Sequence, residues 1–139
     1  MTVGFELVEH TADIGVRAWG RTPAEVFEEA ARGMFSLICD PGQIGHEERL
    51  TIEVEAPQQD MLLVAWLNEL LYLFEARHVL FADFEVLEVD DTRVRAEASG
   101  EALQPGRQAV CGGVKAATFH QLSLTHTEQG WEAQVFLDV

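Results

Sequence analysis

Apolar and polar residues alternate through most of the chain, and helical spacing interrupts the alternation twice. Phe5, Leu7 and Val8, then Ile14, Val16, Ala18 and Trp19, form short runs of strand type. Thr22-Pro23-Ala24-Glu25 then predicts a helix start: a hydroxyl cap, proline at the first helical position, and a glutamate three residues after the cap. Val26, Phe27, Ala30, Ala31, Met34, Leu37 and Ile38 recur at the spacing of one helical face, with Glu28, Glu29 and Arg32 opposite. This predicts a helix to about Cys39, stopped by Asp40-Pro41-Gly42. Residues 43–48 read as a polar loop. Leu50 to Ala56 alternates strictly and predicts a strand with an acidic outer face. A second helix is expected over 61–77, capped by Asp60, burying Leu62, Leu63, Trp66, Leu67, Leu70, Leu71 and Phe74 and leaving Asn68, Glu69 and Glu75 toward solvent.

Val79–Val89 and Arg93–Ala98 flank Asp90-Asp91-Thr92 and predict a hairpin. Arg93 and Arg95 share a face with Glu97, which suits surface ion pairs rather than a phosphate cradle. Residues 99–113 carry Gly, Pro and Gln and read as a mobile loop, a lid or docking segment. Gly112-Gly113 lacks the Lys-Ser/Thr of a P-loop. Val114–Leu124 and Trp131–Val139 read as two closing strands. The order ββαβαββββ predicts an α+β fold, two helices packed on a largely antiparallel sheet, in one domain spanning residues 1–139.

Composition narrows the function. A chain of 139 residues can bury a core without metal or disulfide staples. Nine basic residues against 24 acidic ones give a net charge of −15. Such a surface does not grip a nucleic-acid backbone, whose affinity comes from Lys and Arg displacing counterions. It suits cations or a basic protein. No apolar run is long enough to cross a bilayer and the start of the chain does not read as a secretory signal, so a cytoplasmic location is expected. Cys39 and Cys111 form no CxxC pair and are expected to be buried thiols.

Two carboxylates stand out. Asp13 follows His10-Thr11-Ala12 in a polar turn between two strand-like runs, and Asp138 is the one acid in the apolar stretch Val135–Val139. The plain readings are an aspartate bonded to its own turn and a charge that blunts a strand edge. The functional reading joins Asp13 and Asp138 with His120, His10 and Lys115. Two carboxylates and an imidazole make an oxygen-rich site for a divalent cation: Mg, Ca or Mn for the hard oxygens, with Zn left open by the imidazole. Lys115 would pair with the carboxylates or meet a partner's phosphate.

Three ordered blocks bring in a resemblance: His10-Thr11-Ala12-Asp13-Ile14-Gly15 with Gly33-Met34-Phe35; Leu67-Asn68-Glu69-Leu70-Leu71-Tyr72-Leu73-Phe74-Glu75; and Val114-Lys115-Ala116-Ala117-Thr118-Phe119-His120 with Gly130-Trp131 and Phe136-Leu137-Asp138-Val139. Together the chain resembles the archease family. The resemblance implies a small acidic accessory protein of an RtcB-type RNA ligase, promoting guanylylation of the ligase by GTP and its repeated turnover in tRNA splicing and RNA repair. GTP and RNA would be met only through the ligase. It implies a metal site on Asp13 and Asp138, with His120 as a further ligand and Lys115 and His10 in activation or partner contact. Where relatives often place His or acidic residues, this chain has Arg107-Gln108-Ala109-Val110-Cys111-Gly112-Gly113. Two other functions compete: a chaperone-like acidic scaffold for nucleic-acid enzymes, and a small metal-dependent hydrolase, for which no nucleophile stands out.

Overall fold

The structure is a computed structural model that describes residues 2–9, 13–110 and 112–139. His10, Thr11, Ala12 and Cys111 therefore lie outside the described residues. Among the described residues, eight strands and two α-helices run in the order β1 (Gly4–Glu9), β2 (Asp13–Gly20), α1 (Pro23–Ser36), β3 (Glu48–Glu55), α2 (Gln59–Arg77), β4 (Val79–Val89), β5 (Arg93–Ala102), β6 (Ala116–Ala117), β7 (Ser123–Thr127) and β8 (Gly130–Asp138). The class is α+β, as expected. The strands divide between two antiparallel sheets: β1-β2-β8-β6, with β7 also on β8, and β3-β5-β4.

The two helices hold the sheets together. α1 packs on β1, β2 and β8 of one sheet and on β4 of the other; α2 reaches β6 and β7 on one side and β3, β4 and β5 on the other. Gly33 lets α1 come close. A Cβ there would meet Val16 Cγ1 at 2.7 Å and the Phe5 ring at 3.0 Å. Trp66 Nε1 donates to the Phe27 carbonyl at 3.0 Å, joining the helices inside the core. Phe35 stands edge-on to Phe81 and Phe74, with ring centroids 5.6 and 6.2 Å away.

Local signals set the helix ends with some departures. Thr22 Oγ1 accepts from Glu25 N at 3.2 Å, the expected cap. Glu25 reaches back over the helix start, its carboxylate also met by the Thr22 backbone N–H. Its Oε1 takes the N–H of Arg21 at 2.9 Å. α1 ends at Ser36, short of the expected Cys39, which instead forms an isolated bridge with Val110. Asp40 caps a single 3₁₀ turn, Pro41–Gln43. The cap of α2 is Gln58, not Asp60; Asp60 lies in the first turn and accepts from Met61 N at 2.7 Å. Glu28, expected on the wet face of α1, turns inward and accepts from Val86 N at 2.8 Å, beside a register shift in β4. Burial raises its carboxyl above the ordinary value, against that hydrogen bond.

The hairpin β4–β5 forms as predicted. Arg93 pairs with Glu53 at 3.3 Å and Arg49 with Glu97 at 3.3 Å, across neighbouring strands. Two sequence expectations change. The expected loop 99–113 begins later, since β5 continues to Ala102, and it is tied down by a buried polar pair. Gln108 and Glu101 are each only 6% exposed. Gln108 Nε2 donates to Glu101 Oε1 at 2.7 Å and to the Ala102 carbonyl at 3.1 Å, while its Oε1 accepts from Gln104 N at 2.8 Å. The expected strand 114–124 breaks into β6, a turn and β7, because the chain closes a tight turn at Phe119–Leu122 with Gln121 at φ 49°.

Candidate functional site: a carboxylate pair at the end of the sheet

β2 begins and β8 ends at the same point. The antiparallel register sets Asp13 opposite Asp138, then Ile14 opposite Leu137 and Gly15 opposite Phe136. Residues directly opposite in such a ladder have Cβ atoms about 4.5–5.5 Å apart and lie on one face. Two aspartates distant in sequence are thus brought together by register alone. Asp13 is half-buried and Asp138 exposed. Ile14 and Leu137, which alternate with them, point to the opposite face, and Leu137 is in the core.

β6 supports this end from the other side of β8. Ala116 pairs with Asp138 and Ala117 with Leu137. Lys115 N donates to the Asp138 carbonyl at 2.7 Å, and Thr118 binds the Phe136 carbonyl through both N and Oγ1 at 3.0 Å. Among the described residues, the outer edge of β6 meets no further strand; α2 supplies a side chain there. Asn68 Oδ1 accepts from Ala117 N at 2.8 Å, and Asn68 Nδ2 donates to the Ala117 carbonyl at 3.1 Å.

His120 lies on the same face as the carboxylates but farther down β8. Its ring stands edge-on to Phe136, with centroids 5.8 Å apart, and the His120 backbone N–H donates to Thr118 Oγ1 at 3.3 Å. Gly15 leaves room for the Phe136 ring, which an added Cβ would meet at 3.0 Å. Among the described residues, no three His, Cys, Asp or Glu side chains are grouped as metal ligands. The structure therefore brings together Asp13, Asp138 and the Lys115 backbone, and sets His120 against Phe136. His10 lies outside the described residues.

As a donor set, two carboxylates fit a hard divalent cation that keeps several waters or takes phosphate oxygens from another molecule, as Mg²⁺ commonly does. They fall short of the six to eight oxygens of a closed Ca²⁺ cage. The surroundings are acidic in effect. Seven of the nine basic residues, Arg17, Arg21, Arg32, Arg49, Arg93, Arg95 and Arg107, are engaged by the chain's own carboxylates. Arg17 illustrates this: it is held between Glu6 and Glu132, and the Glu132 carboxylate foremost raises its pKa further. A cleft of about 610 Å³ containing Arg17, Trp19 and Glu132 lies at the far end of the same sheet.

This arrangement can be set beside known proteins. The family model described as "Archease protein family (MTH1598/TM1083)" matches residues 5–139. The chain belongs to the archease family. A protein archease from Methanosarcina acetivorans is 42% identical over 97% of this chain and 95% of its own. One from Pyrococcus furiosus is 37% identical over 97% and 98%. The solution structure of Methanobacterium thermoautotrophicum protein 1598 superposes with a TM-score of 0.84 at 33% identity, covering 98% of this chain and 99% of that one. The fold also matches a Thermotoga maritima crystal structure described as an archease, possible chaperone (TM-score 0.59, 18% identity, 95% and 94% covered). Sequence reasoning missed two residues that shape this archease's site. Asn68 reads as a solvent position on α2, and only its placement among leucines hinted at another role. Gln121 takes a left-handed backbone that no sequence signal for glycine or asparagine announces.

Proposed function

We propose that this archease is a non-catalytic accessory protein of an RtcB-type RNA ligase. It promotes the ligase's GTP-dependent guanylylation and repeated turnover in tRNA splicing and RNA repair, and it works through a divalent cation held at the end of the sheet. The observation that carries the reading is the register that sets Asp13 opposite Asp138. Family membership and the net charge of −15 support it. Asp13 and Asp138 would hold the ion; His120, on the same face, stands behind them. When bound, such a cation polarises a phosphoryl oxygen and offsets charge that develops as a nucleophile attacks the α-phosphate. The chain's own contribution is to fix two acids at a strand end braced by β6 and to leave Lys115 exposed beside them. Its acidic surface would steer it toward a basic, RNA-binding partner without holding RNA itself.

The test is a guanylylation assay with a cognate ligase, GTP and a divalent metal, comparing wild type, Asp13→Ala and Asp138→Ala. Wild type should stimulate strongly and either variant should not. The competing reading is an acidic, chaperone-like scaffold, in line with the description of the Thermotoga maritima protein as a possible chaperone. Each substitution changes a net charge of −15 by a single unit. The scaffold reading therefore requires near-normal stimulation by both variants.

A further inference from the structure

The turn that interrupts the final strands leaves an aromatic side chain in water. Phe119 is 61% exposed, although its neighbours are firmly held: Thr118 by the Phe136 carbonyl, and Leu122 by packing on the core and by donating its N–H to the Phe119 carbonyl at 3.2 Å. The turn is closed by Gln121 in the left-handed region, which a non-glycine residue keeps only where the surroundings impose it. The turn thus holds a phenyl ring out in water on an anchored backbone.

A second exposed aromatic belongs to the helix that holds β6. Tyr72 is 62% exposed on α2. It is one helical turn beyond Asn68, and Asn68 holds Ala117, two residues before Phe119. Glu69 and Glu75, three residues to either side of Tyr72, share its helix face. Two exposed rings thus flank the Asn68–Ala117 contact along the chain, Tyr72 with carboxylates beside it on α2, and the Asp13–Asp138 pair sits across the two-residue strand β6.

We infer that Phe119 and Tyr72 are the anchors by which this archease docks on the RNA ligase, seating in an apolar socket bordered by arginine or lysine. The inference rests on the ligase reading above. Charge selects the occupant. An aromatic centre with an acidic rim complements a basic surface, whose guanidinium or ammonium groups gain from both the carboxylates and the ring faces. Buried aromatic anchors commonly carry most of an interface's energy. Continuity supports the same assignment: a ligase bound here has the carboxylate pair at its surface, one strand away.

The experiment titrates the protein into the guanylylation assay and reads the concentration for half-maximal stimulation separately from the plateau. Phe119→Ala should raise that concentration about tenfold or more and leave the plateau at saturation unchanged. Tyr72→Ala should act in the same direction, and Phe119→Trp should restore most of the loss. Leu87→Ala, an exposed apolar residue on the three-stranded sheet, should change nothing. Phe119 is exposed, so melting of the Phe119→Ala protein should match wild type; a large fall would reveal a structural residue and overturn the inference. A half-maximal concentration within twofold of wild type, with wild type stimulating, also overturns it and leaves the ligase reading intact. No stimulation by wild type overturns both.

Discussion

Asn68 meets Ala117 at both ends of the residue, accepting from its N–H at 2.8 Å and donating to its carbonyl at 3.1 Å. One carboxamide does what a neighbouring strand would do. Replacing it with alanine leaves a donor and an acceptor on a buried residue, a loss of about 2 kcal/mol. Asn68→Ala should lower the denaturant midpoint accordingly. Amide exchange should quicken first at Ala117 and Thr118, before the rest of the sheet.

The cation reading has a readout that needs no ligase. An ion that binds the folded chain stabilises it by about 2.7 kcal/mol at a hundred times its dissociation constant. For a domain of this size that is a rise of roughly 5–10 °C in melting temperature. Magnesium or manganese should produce such a rise in wild type, and Asp13→Ala or Asp138→Ala should abolish it. An equal rise in the variants would place the ion elsewhere.

Glu101 and Gln108 predict a pH dependence. The Arg107 guanidinium, then the Gln108 amide, hold the Glu101 carboxyl below its ordinary value. A carboxyl depressed on folding contributes stability that is present above its unfolded value, about 4.3, and is lost as pH falls through the lower folded value. Glu101→Gln should therefore melt below wild type at pH 7, and the two curves should converge in acid below about pH 4. A gap that does not narrow on acidification would show packing, not charge, to be responsible.

Gly100 is required for space alone. A Cβ there would fall 1.8 Å from the Leu80 carbonyl oxygen and 2.8 Å from Phe81 Cα, both backbone atoms. Gly100→Ala should cost about 3 kcal/mol or more, because the β4–β5 ladder must shift to admit it. Soluble expression and chemical denaturation would check this. Wild-type-like stability would mean the ladder yields easily at its register shift.

Much of this fold was legible from local pattern. The Thr22-Pro23 start, the buried face of α1 and the 79–98 hairpin each follow from signals a few residues long. What was not legible depended on partners remote in sequence. Asn68 reads as a surface residue until β6 is laid beside α2. Glu28 reads as solvated until β4 offers it the Val86 N–H. The alternation of 114–124 suggested one strand, and only the hold of Phe136 on Thr118 together with the Gln121 turn divides it. The division into two sheets likewise rests on pairings between strands remote in sequence, β2 with β8 and β3 with β5. At the site, the two aspartates were individually conspicuous, but their meeting is a fact of register between β2 and β8.

The carboxamide on β6 also settles how this rim of the molecule can be recognised. Many complexes form by strand addition, in which an incoming peptide zips onto unpaired backbone groups and reads little beyond its own main chain. At Ala117 those groups are already taken. A visitor arriving there finds side chains instead, and must match their shape and charge residue by residue. The same capping shields this stretch of sheet from edge-to-edge association with another copy, the commonest hazard of an open ladder.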